Sequence, residues 1–251
     1  MKDCLFKYLP PERIDVLENM KIRFTSVVSL NDPYESLMRL GDVNAFVDHK
    51  LGDNGFKFVS LSRNNENLLM WSHYSASHEG YVLAFDRNHS FFSTAEAVRY
   101  RRIRANFNGA KIPFSKEDIL KHVVLEKAID WAYEEEERLF LQDTPDSAVN
   151  IGSDKWGQPI ILNSIPEDCI LGVYLGVKAS EEFKKQIIEV LKSIKFKYRS
   201  FSFLLKVQSL HLSLKRFYML NKTLKNGRSK LRHLAVRCMY LRVELVSRIT
   251  I

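Results

Sequence analysis

The sequence predicts an α+β protein with a mixed sheet and flanking helices. Segments in which apolar residues alternate with polar ones, or follow one another, are typical of strands, as in FKFVSLS (56–62) and GYVLAFD (80–86). Residues 180–196 instead repeat apolar residues at helical spacing after a Ser180 cap. With 251 residues, of which 45% are hydrophobic, the chain is long enough to bury a full core.

The first 103 residues are predicted to alternate strands with short helices. Pro10 and Pro11 end the first strand, because proline lacks the amide hydrogen that a strand needs. Asn64 and Asn65 offer a helix cap, and Gly80 ends the same helix. In chain order we predict a strand at 5–9, a helix at 11–21, a strand at 22–30, a turn at 31–35, a strand at 56–62, a helix at 66–77, a strand at 80–86 and a strand at 98–103.

The second half is predicted to contain a long helix, a loop, and then a strand followed by an amphipathic helix. Apolar residues at helical spacing favour one helix over 116–141, although ERLFL (137–141) is also compatible with a strand. Residues 142–168 are rich in Asp, Gly, Pro and Ser, which favours a surface loop. A strand at 169–176 and a helix at 180–196 follow. Beyond residue 197 we expect a strand near 210–214 and a basic helix over 222–248.

Cysteine usage and hydropathy predict a cytoplasmic protein. Cys4, Cys169 and Cys238 are few and far apart, which argues against a disulfide framework and a cysteine-rich zinc site. The N-terminal residues lack the apolar run of roughly 7 to 15 residues that a secretory signal needs. No stretch of roughly 18 uncharged apolar residues is present, so no membrane association is expected.

Charge is distributed unevenly along the chain. Residues 191–251 contain 15 lysines and arginines and one acid, Glu244, so the net charge of this tail is +14. The net charge of the whole chain is +8, so residues 1–190 carry a net charge of −6. Aromatic residues interleave with these cations. The pattern predicts either a partner such as nucleic acid, or a tail that packs against the acidic body. We predict a domain over 1–197 and a basic aromatic extension over 198–251.

The segment MWSHYSASHEG (70–80) concentrates aromatic and histidine side chains. His73 is a candidate general acid or base, because histidine changes its charge near neutral pH. His73 and His78 are five residues apart, which is not the spacing that places two imidazoles on one helical face for zinc. The alternative is that Trp71 and Tyr74 fill the core and His73 bonds the backbone.

The segment NDPYE (31–35) is a strong turn, because Asx side chains bond their own backbone and Pro33 presets its φ angle. A solvent-facing turn is one interpretation. The other is that Asn31, Asp32 and Glu35 line the mouth of a ligand pocket, since loops on a rigid scaffold often do so.

Four consecutive glutamates occupy residues 134–137 in WAYEEEERLF (131–140). Such a run is commonly a solvated face, because like charges repel. Glu134 and Glu136 share a face only if the chain is extended there, because residues two apart lie about 200° apart around a helix. If the helix ends before them, one can act as a base and the other can accept a ribose hydroxyl.

Five ordered motifs resemble a bacterial family known as domain of unknown function 2971. They are LFKYL (5–9), FTSVVSLNDPYE (24–35), MWSHYSASHEGYVLAFD (70–86), KAIDWAYEEEER (127–138) and ILGVYLG (170–176). The resemblance implies that Trp131, Tyr133, Glu134, Glu136 and Arg138 are the family positions within the glutamate run. The tail after about residue 197 resembles the family only weakly.

The family-like pattern in which one residue separates Glu134 from Glu136 (ExE) looks somewhat like the arrangement of glutamates in ADP-ribosyltransferases. That likeness implies a pocket for a nucleotide-like ligand, with NAD as substrate. The implied roles are ribose binding by Glu136, general base by Glu134, stacking by Tyr74 and Trp131, and phosphate contacts by Arg138 and Lys127. Two alternatives remain: a non-enzymatic nucleic-acid-binding or defence-associated interaction protein, and a metal-dependent nuclease using Asp32, Asp86 and Glu134.

Overall fold

The computed structural model describes residues 3–40, 43–46, 57–103, 123–141, 148–193 and 205–207. Its strands are β1 (Cys4–Leu9), β2 (Lys21–Ser26), β3 (Leu37–Leu40), β4 (Val43–Phe46), β5 (Lys57–Ser62), β6 (Tyr81–Asp86), β7 (Ala95–Ala97), β8 (Arg99–Arg101), β9 (Glu126–Ala128), β10 (Glu136–Phe140), β11 (Val149–Ser153), β12 (Pro159–Ser164), β13 (Ile170–Leu175) and β14 (Leu205–Val207). Its α-helices are α1 (Asp15–Glu18), α2 (Leu68–Tyr74) and α3 (Glu181–Ser193). Short 3-10 turns lie at Pro11–Arg13, Val27–Ser29, Pro33–Ser36, Ser90–Phe92, Ile129–Glu134 and Glu167–Cys169.

The main sheet is curled and almost entirely antiparallel. Its strands follow the order β11-β12-β2-β5-β1-β6-β13-β14, and β10 lies between β5 and β7. Only the β13–β14 pair in this sheet is parallel among the described residues. Strand β5 is the junction, because it pairs with β10 along its whole length and with β2 and β1 on its other side.

Alternation along the central strands builds a core on each face of the sheet. On one face, Leu5 and Leu83 pack with Phe183 and Ile187 of α3. Neighbouring strand residues point the other way, and there Tyr8 packs with Trp71 of α2. The sheet is therefore covered by a helix on each face. The predicted α+β class is confirmed.

The predicted long helix is wrong over residues 126–141. This segment forms β9, the 3-10 turn Ile129–Glu134 and β10 instead. Pairing of β10 with both β5 and β7 satisfies its backbone and overrides the helical spacing. The predicted loop at 142–168 is also wrong in part, because β11 and β12 form an antiparallel hairpin there.

Other predicted elements differ mainly at their ends. The strand predicted at 22–30 stops at Ser26 and continues as a 3-10 turn, and the helix predicted at 66–77 is α2. The strand predicted at 98–103 is observed as β8, preceded by β7. The strand and helix predicted beyond residue 209 lie outside the described residues. Within the described part of the chain, no helix combines the length and apolar character needed to cross a bilayer.

Candidate functional site

Glu134 and Glu136 flank a single left-handed residue. The 3-10 turn ends at Glu134, and β10 begins at Glu136. Between them, Glu135 has φ 47° and ψ 50°, and its amide donates a hydrogen bond to the Ala132 carbonyl. Glu134 therefore still belongs to the turn, and the chain is not extended between the two glutamates, as a shared strand face would require. The extended arrangement considered from the sequence is not observed, although both carboxylates contact the same lysine.

Lys127 on β9 joins these two glutamates to a third carboxylate. Its Nζ lies 2.6 Å from Glu134 Oε2, 3.2 Å from Glu136 Oε2 and 3.1 Å from Glu35 Oε1. All four side chains are buried. Buried charges are tolerated only when they are paired, so three carboxylates require more positive charge than one lysine supplies.

Arg138 on β10 is the second cation of this buried cluster. Its Nε donates to Glu136 Oε1 at 2.7 Å, and its Nη2 donates to Glu136 Oε2 at 3.1 Å. Further hydrogen bonds reach Glu35 Oε2 and the Val124 carbonyl. The guanidinium also lies over the Phe58 ring, 4.6 Å from its centroid. Arg138 thus spans Glu35 and Glu136 and is fully buried.

Burial and ion pairing oppose each other in setting the pKa values of this cluster. Burial favours a raised pKa for Glu136, but the charges of Arg138 and Lys127 lower it to about 2. Burial likewise favours a lowered pKa for Lys127, but the three surrounding carboxylates raise it above the ordinary lysine value. Glu136 and Lys127 therefore remain charged at neutral pH.

Glu134 is shifted in the opposite direction. Burial, aided by the charge of Glu136, raises the pKa of Glu134, while Lys127 and the hydrogen bond from Tyr74 oppose that rise. Tyr74 Oη donates to Glu134 Oε1 at 2.6 Å. Burial and the Glu134 charge raise the pKa of Tyr74, so it stays a neutral donor. Two neighbouring carboxylates whose pKa values diverge are an arrangement suited to acid–base chemistry.

A cavity of about 170 Å³ opens onto this cluster and is called the first cavity here. Its lining is formed by Phe6, Lys7, Tyr8, Ser29, Leu30, Asn31, Glu35, Ser60, Leu61, Ser62, Met70, Tyr74, Lys127, Glu134 and Glu136. The volume is below the roughly 300–1,000 Å³ of a typical ligand pocket.

Most of the predicted site residues meet at this cavity. Those that line it are Asn31, Glu35, Tyr74, Lys127, Glu134 and Glu136. Asp32 and Trp131 line a second cavity, which shares Asn31 with the first. Arg138 lies behind Glu136 and lines neither cavity.

His73 is not brought to either cavity. It is exposed on α2, and its ring contacts that of Tyr74 edge-on at 6.3 Å between centroids. His78 lies after the helix and stacks on Trp71 with ring centroids 6.5 Å apart. Among the described residues, no group of three or more His, Cys, Asp or Glu side chains is placed to hold a metal ion.

Helix α2 positions Tyr74 by its cap and its buried tryptophan. The N-cap of this helix is Asn67, two residues after the predicted cap Asn65. The Asn67 side chain accepts hydrogen bonds from the amides of Leu69 and Met70. Trp71 is fully buried and its Nε1 donates to the Asn65 carbonyl at 2.7 Å. These contacts fix the helix, and Tyr74, one turn after Trp71, is therefore held where its hydroxyl can bond Glu134.

Two residues of the site were not predicted from the sequence. Lys7 on β1 lines the first cavity, donates to the Ser60 carbonyl at 3.0 Å, and has its pKa lowered by burial to about 8. Tyr100 Oη accepts a hydrogen bond of 2.8 Å from the Glu136 amide. A lysine inside an otherwise apolar strand was the available signal for Lys7; the sequence offered none for Tyr100.

The comparisons with known proteins identify one family. The model of the family described as "Protein of unknown function (DUF2971)" matches residues 70–139. That segment contains residues 70–74 of α2, all of β6, and Glu134 and Glu136, so the resemblance predicted from the sequence is confirmed over these residues. No curated protein and no solved structure matches the chain.

Proposed function

We propose that the first cavity binds the ribose end of a nucleotide-like ligand and that the protein transfers ADP-ribose from NAD. The observation that carries this proposal is the convergence of Glu134, Tyr74 and Lys127 on one cavity. A carboxylate with a raised pKa, fixed by a neutral phenol and a cation, is a competent general base.

Glu134 is assigned as the base of the transfer. The bond between nicotinamide nitrogen and ribose C1′ breaks, and its electron pair leaves with nicotinamide. The nucleophile of the acceptor forms the new bond to C1′, and its proton moves to Glu134. Positive charge that develops on the ribose is stabilised by the nearby carboxylates.

Glu136 and Arg138 are assigned positioning roles. A carboxylate accepts about four hydrogen bonds, and those of Glu136 are taken by two from Arg138, one from Lys127 and one from Ser60. Glu134 accepts only from Tyr74 and Lys127 among the described residues, which leaves acceptor capacity for the ligand. This assignment moves the ribose contact to Glu134 from Glu136, where the likeness to ADP-ribosyltransferases implied it.

The cytoplasm is the proposed location of this reaction. Cys4 and Cys169 are free thiols in the described part of the chain. Free thiols persist where the compartment is reducing.

Nicotinamide release and label transfer from adenylate-labelled NAD test the proposed activity. The wild-type protein is incubated with protein, nucleic-acid and small-molecule acceptors, beside Glu134→Gln and the neighbouring Glu135→Gln. Loss of a general base predicts a rate about 10²- to 10⁴-fold lower for Glu134→Gln. Glu135 is exposed and bonds Asn64, so its variant should retain activity. Equal rates for Glu134→Gln and wild type, or no release with any acceptor, contradict the proposal.

Nucleic-acid binding through residues 191–251 is a second candidate function, favoured by the +14 charge of that tail. Such binding depends on counterion release, so its affinity falls steeply with salt. The test compares the full-length protein with a variant in which the seven lysines and arginines of 215–232 become glutamine. A weaker salt dependence in the variant supports the function, whereas identical, salt-insensitive binding opposes it.

A further inference from the structure

The second cavity lies beside the first and is larger. Its volume is about 500 Å³, and it is lined by Asn31, Asp32, Tyr34, Arg101, Arg102, Ala128, Asp130 and Trp131. Asn31 borders both cavities, and Lys127 of the first cavity precedes Ala128 of the second. Lys127 Nζ also lies 5.0 Å from the Trp131 ring centroid. The two cavities therefore adjoin each other at Asn31.

Asp32 lines this cavity and carries an unused acceptor oxygen. The residue is 5% exposed, and its Oδ1 accepts from the Tyr34 amide at 2.9 Å. Its Oδ2 is buried and has no hydrogen-bond partner among the residues that the structure describes. A buried carboxylate oxygen without a partner is costly, so a ligand that donates a hydrogen bond would be favoured here.

The other polar residues of the second cavity suit an anionic group. Arg101 Nε lies 2.9 Å from Glu126 Oε1, whereas exposed Arg102 forms no ion pair with any described residue. Arg102 is thus available for phosphate, which guanidinium groups bind in a bidentate manner. Asp130 adds a second carboxylate, so the cavity matches a ligand that carries both donors and an anion rather than a simple polyanion.

Aromatic surface completes the second cavity. Trp131 is half-buried, and Tyr34 is 64% exposed. Nucleobases stack on such side chains because every base has an aromatic face. The cavity volume falls within the roughly 300–1,000 Å³ range of ligand pockets, unlike that of the first cavity.

We propose that the second cavity binds the nucleoside phosphate half of the ligand. The base stacks on Trp131, a hydroxyl or amino group of the nucleoside donates to Asp32 Oδ2, and Arg102 binds phosphate. This inference rests on the proposed function, because it assigns the adenosine phosphate end of NAD to the cavity next to the one that takes the reacting ribose.

Titration calorimetry with ADP and with nicotinamide mononucleotide, using the full chain, tests the assignment. Arg102→Ala removes the phosphate contact. Asp32→Asn keeps the Oδ1 acceptor for Tyr34 but replaces Oδ2 with a donor. Each substitution should weaken ADP binding at least tenfold and leave nicotinamide mononucleotide binding within twofold of wild type. Arg13→Ala and Asp168→Asn are controls, because neither residue lines the first or the second cavity. Thermal melting verifies that all variants fold.

The outcomes separate this inference from the proposed function. Unchanged ADP affinity in both variants overturns the assignment of the second cavity. Failure of ADP to bind while NAD is cleaved also overturns it, and the transfer activity stands. ADP binding that both substitutions weaken, without any nicotinamide release, supports the nucleoside phosphate site and rejects the transfer reaction.

Discussion

Tyr74 donates a 2.6 Å hydrogen bond to Glu134 Oε1 and thereby ties helix α2 to the turn before β10. These two segments are 60 residues apart in the chain. Both fall within the segment that matches the family model. The bond links the aromatic helix to the glutamate run and places a neutral donor on the carboxylate that carries the proposed chemistry.

Removing this hydrogen bond should raise the pKa of Glu134 further. Tyr74→Phe deletes the donor that favours the charged carboxylate, so the protonated form persists to higher pH. A hydrogen bond stabilises the charged carboxylate, so its loss moves the pKa of Glu134 upwards. Carbon-13 NMR titration of the glutamate carboxylates measures the change, and the acid limb of nicotinamide release should move to higher pH with it.

Tyr133→Phe is the matched control for that experiment. Tyr133 is adjacent to Glu134, but among the described residues its hydroxyl makes no hydrogen bond to the Glu134 carboxylate. Its removal should leave the titration unchanged. A Tyr74→Phe titration that coincides with wild type, or moves to lower pH, would disprove the role of the bond.

Local sequence signals predicted the strands and helices whose periodicity agrees with their tertiary environment. GYVLAFD becomes β6, and the amphipathic segment after Ser180 becomes α3. The helix predicted over 116–141 was wrong in its described second half, because its run of glutamates was interpreted as a solvated helical face. In the structure Glu134, Glu136 and Glu137 are instead buried. Lys127 pairs with Glu134 and Glu136, and Arg138 also pairs with Glu136. The cations that pair with Glu137 are Arg63 and Arg87, which are distant in the chain and are not indicated by helical periodicity.

The site was predicted in outline, and its internal organisation was not. Residue types and family motifs located Asn31, Tyr74, Lys127 and Glu134, which do line one cavity. Nothing in the residue pattern indicates that Arg138 is fully buried and pairs with Glu35, 103 residues earlier in the chain. Such long-range ion pairs are set by strand register rather than by spacing in the sequence.

Arg138→Ala should strongly destabilise the protein. The substitution leaves Glu35 and Glu136 with Lys127 as their remaining described cation, and an unpaired buried charge is expensive. We expect the free energy of unfolding to fall by about 3–5 kcal/mol. Urea denaturation measures it, with exposed Arg102→Ala as the control that should change it by less than about 0.5 kcal/mol. A loss below about 1 kcal/mol for Arg138→Ala would show that the cluster does not depend on this cation.

Glu137 offers a comparison between two arginines that share one carboxylate. Glu137 is fully buried and bonds both Arg63 and Arg87, the latter at 2.7 Å. Arg87 also donates to the carbonyls of Phe92 and Ala95, whereas the Arg63 side chain is 51% exposed. Arg87→Ala should therefore cost about 3 kcal/mol and Arg63→Ala at most about 1 kcal/mol in urea unfolding. Equal losses would contradict the dependence on burial.

Asp154 should stabilise the β11–β12 hairpin in a pH-dependent manner. Burial opposes ionisation, but hydrogen bonds from Ser29, Gln158 and Arg23 lower its pKa to about 2. A lowered pKa contributes stability above the unfolded value near 4, and that contribution is lost as the pH falls towards 2. Asp154→Asn should reduce the free energy of unfolding by about 2 kcal/mol at pH 7 and by much less at pH 2.5. A loss that is the same at both pH values would refute this.

Lys7 should react as an unusually acidic amine at the first cavity. Burial, partly offset by Glu136, lowers its pKa to about 8, so about half of its side chains are neutral at pH 8, against less than about 1% for an ordinary lysine. Only the neutral amine attacks an electrophile. Reductive methylation, followed residue by residue with mass spectrometry, should show a Lys7 rate that levels off above pH 8. The rate for free Nα-acetyl-lysine, an ordinary lysine amine, should continue to rise towards pH 10. Because the comparison uses the shape of each pH profile, it is independent of how easily the reagent reaches either amine, and parallel profiles would contradict the lowered pKa.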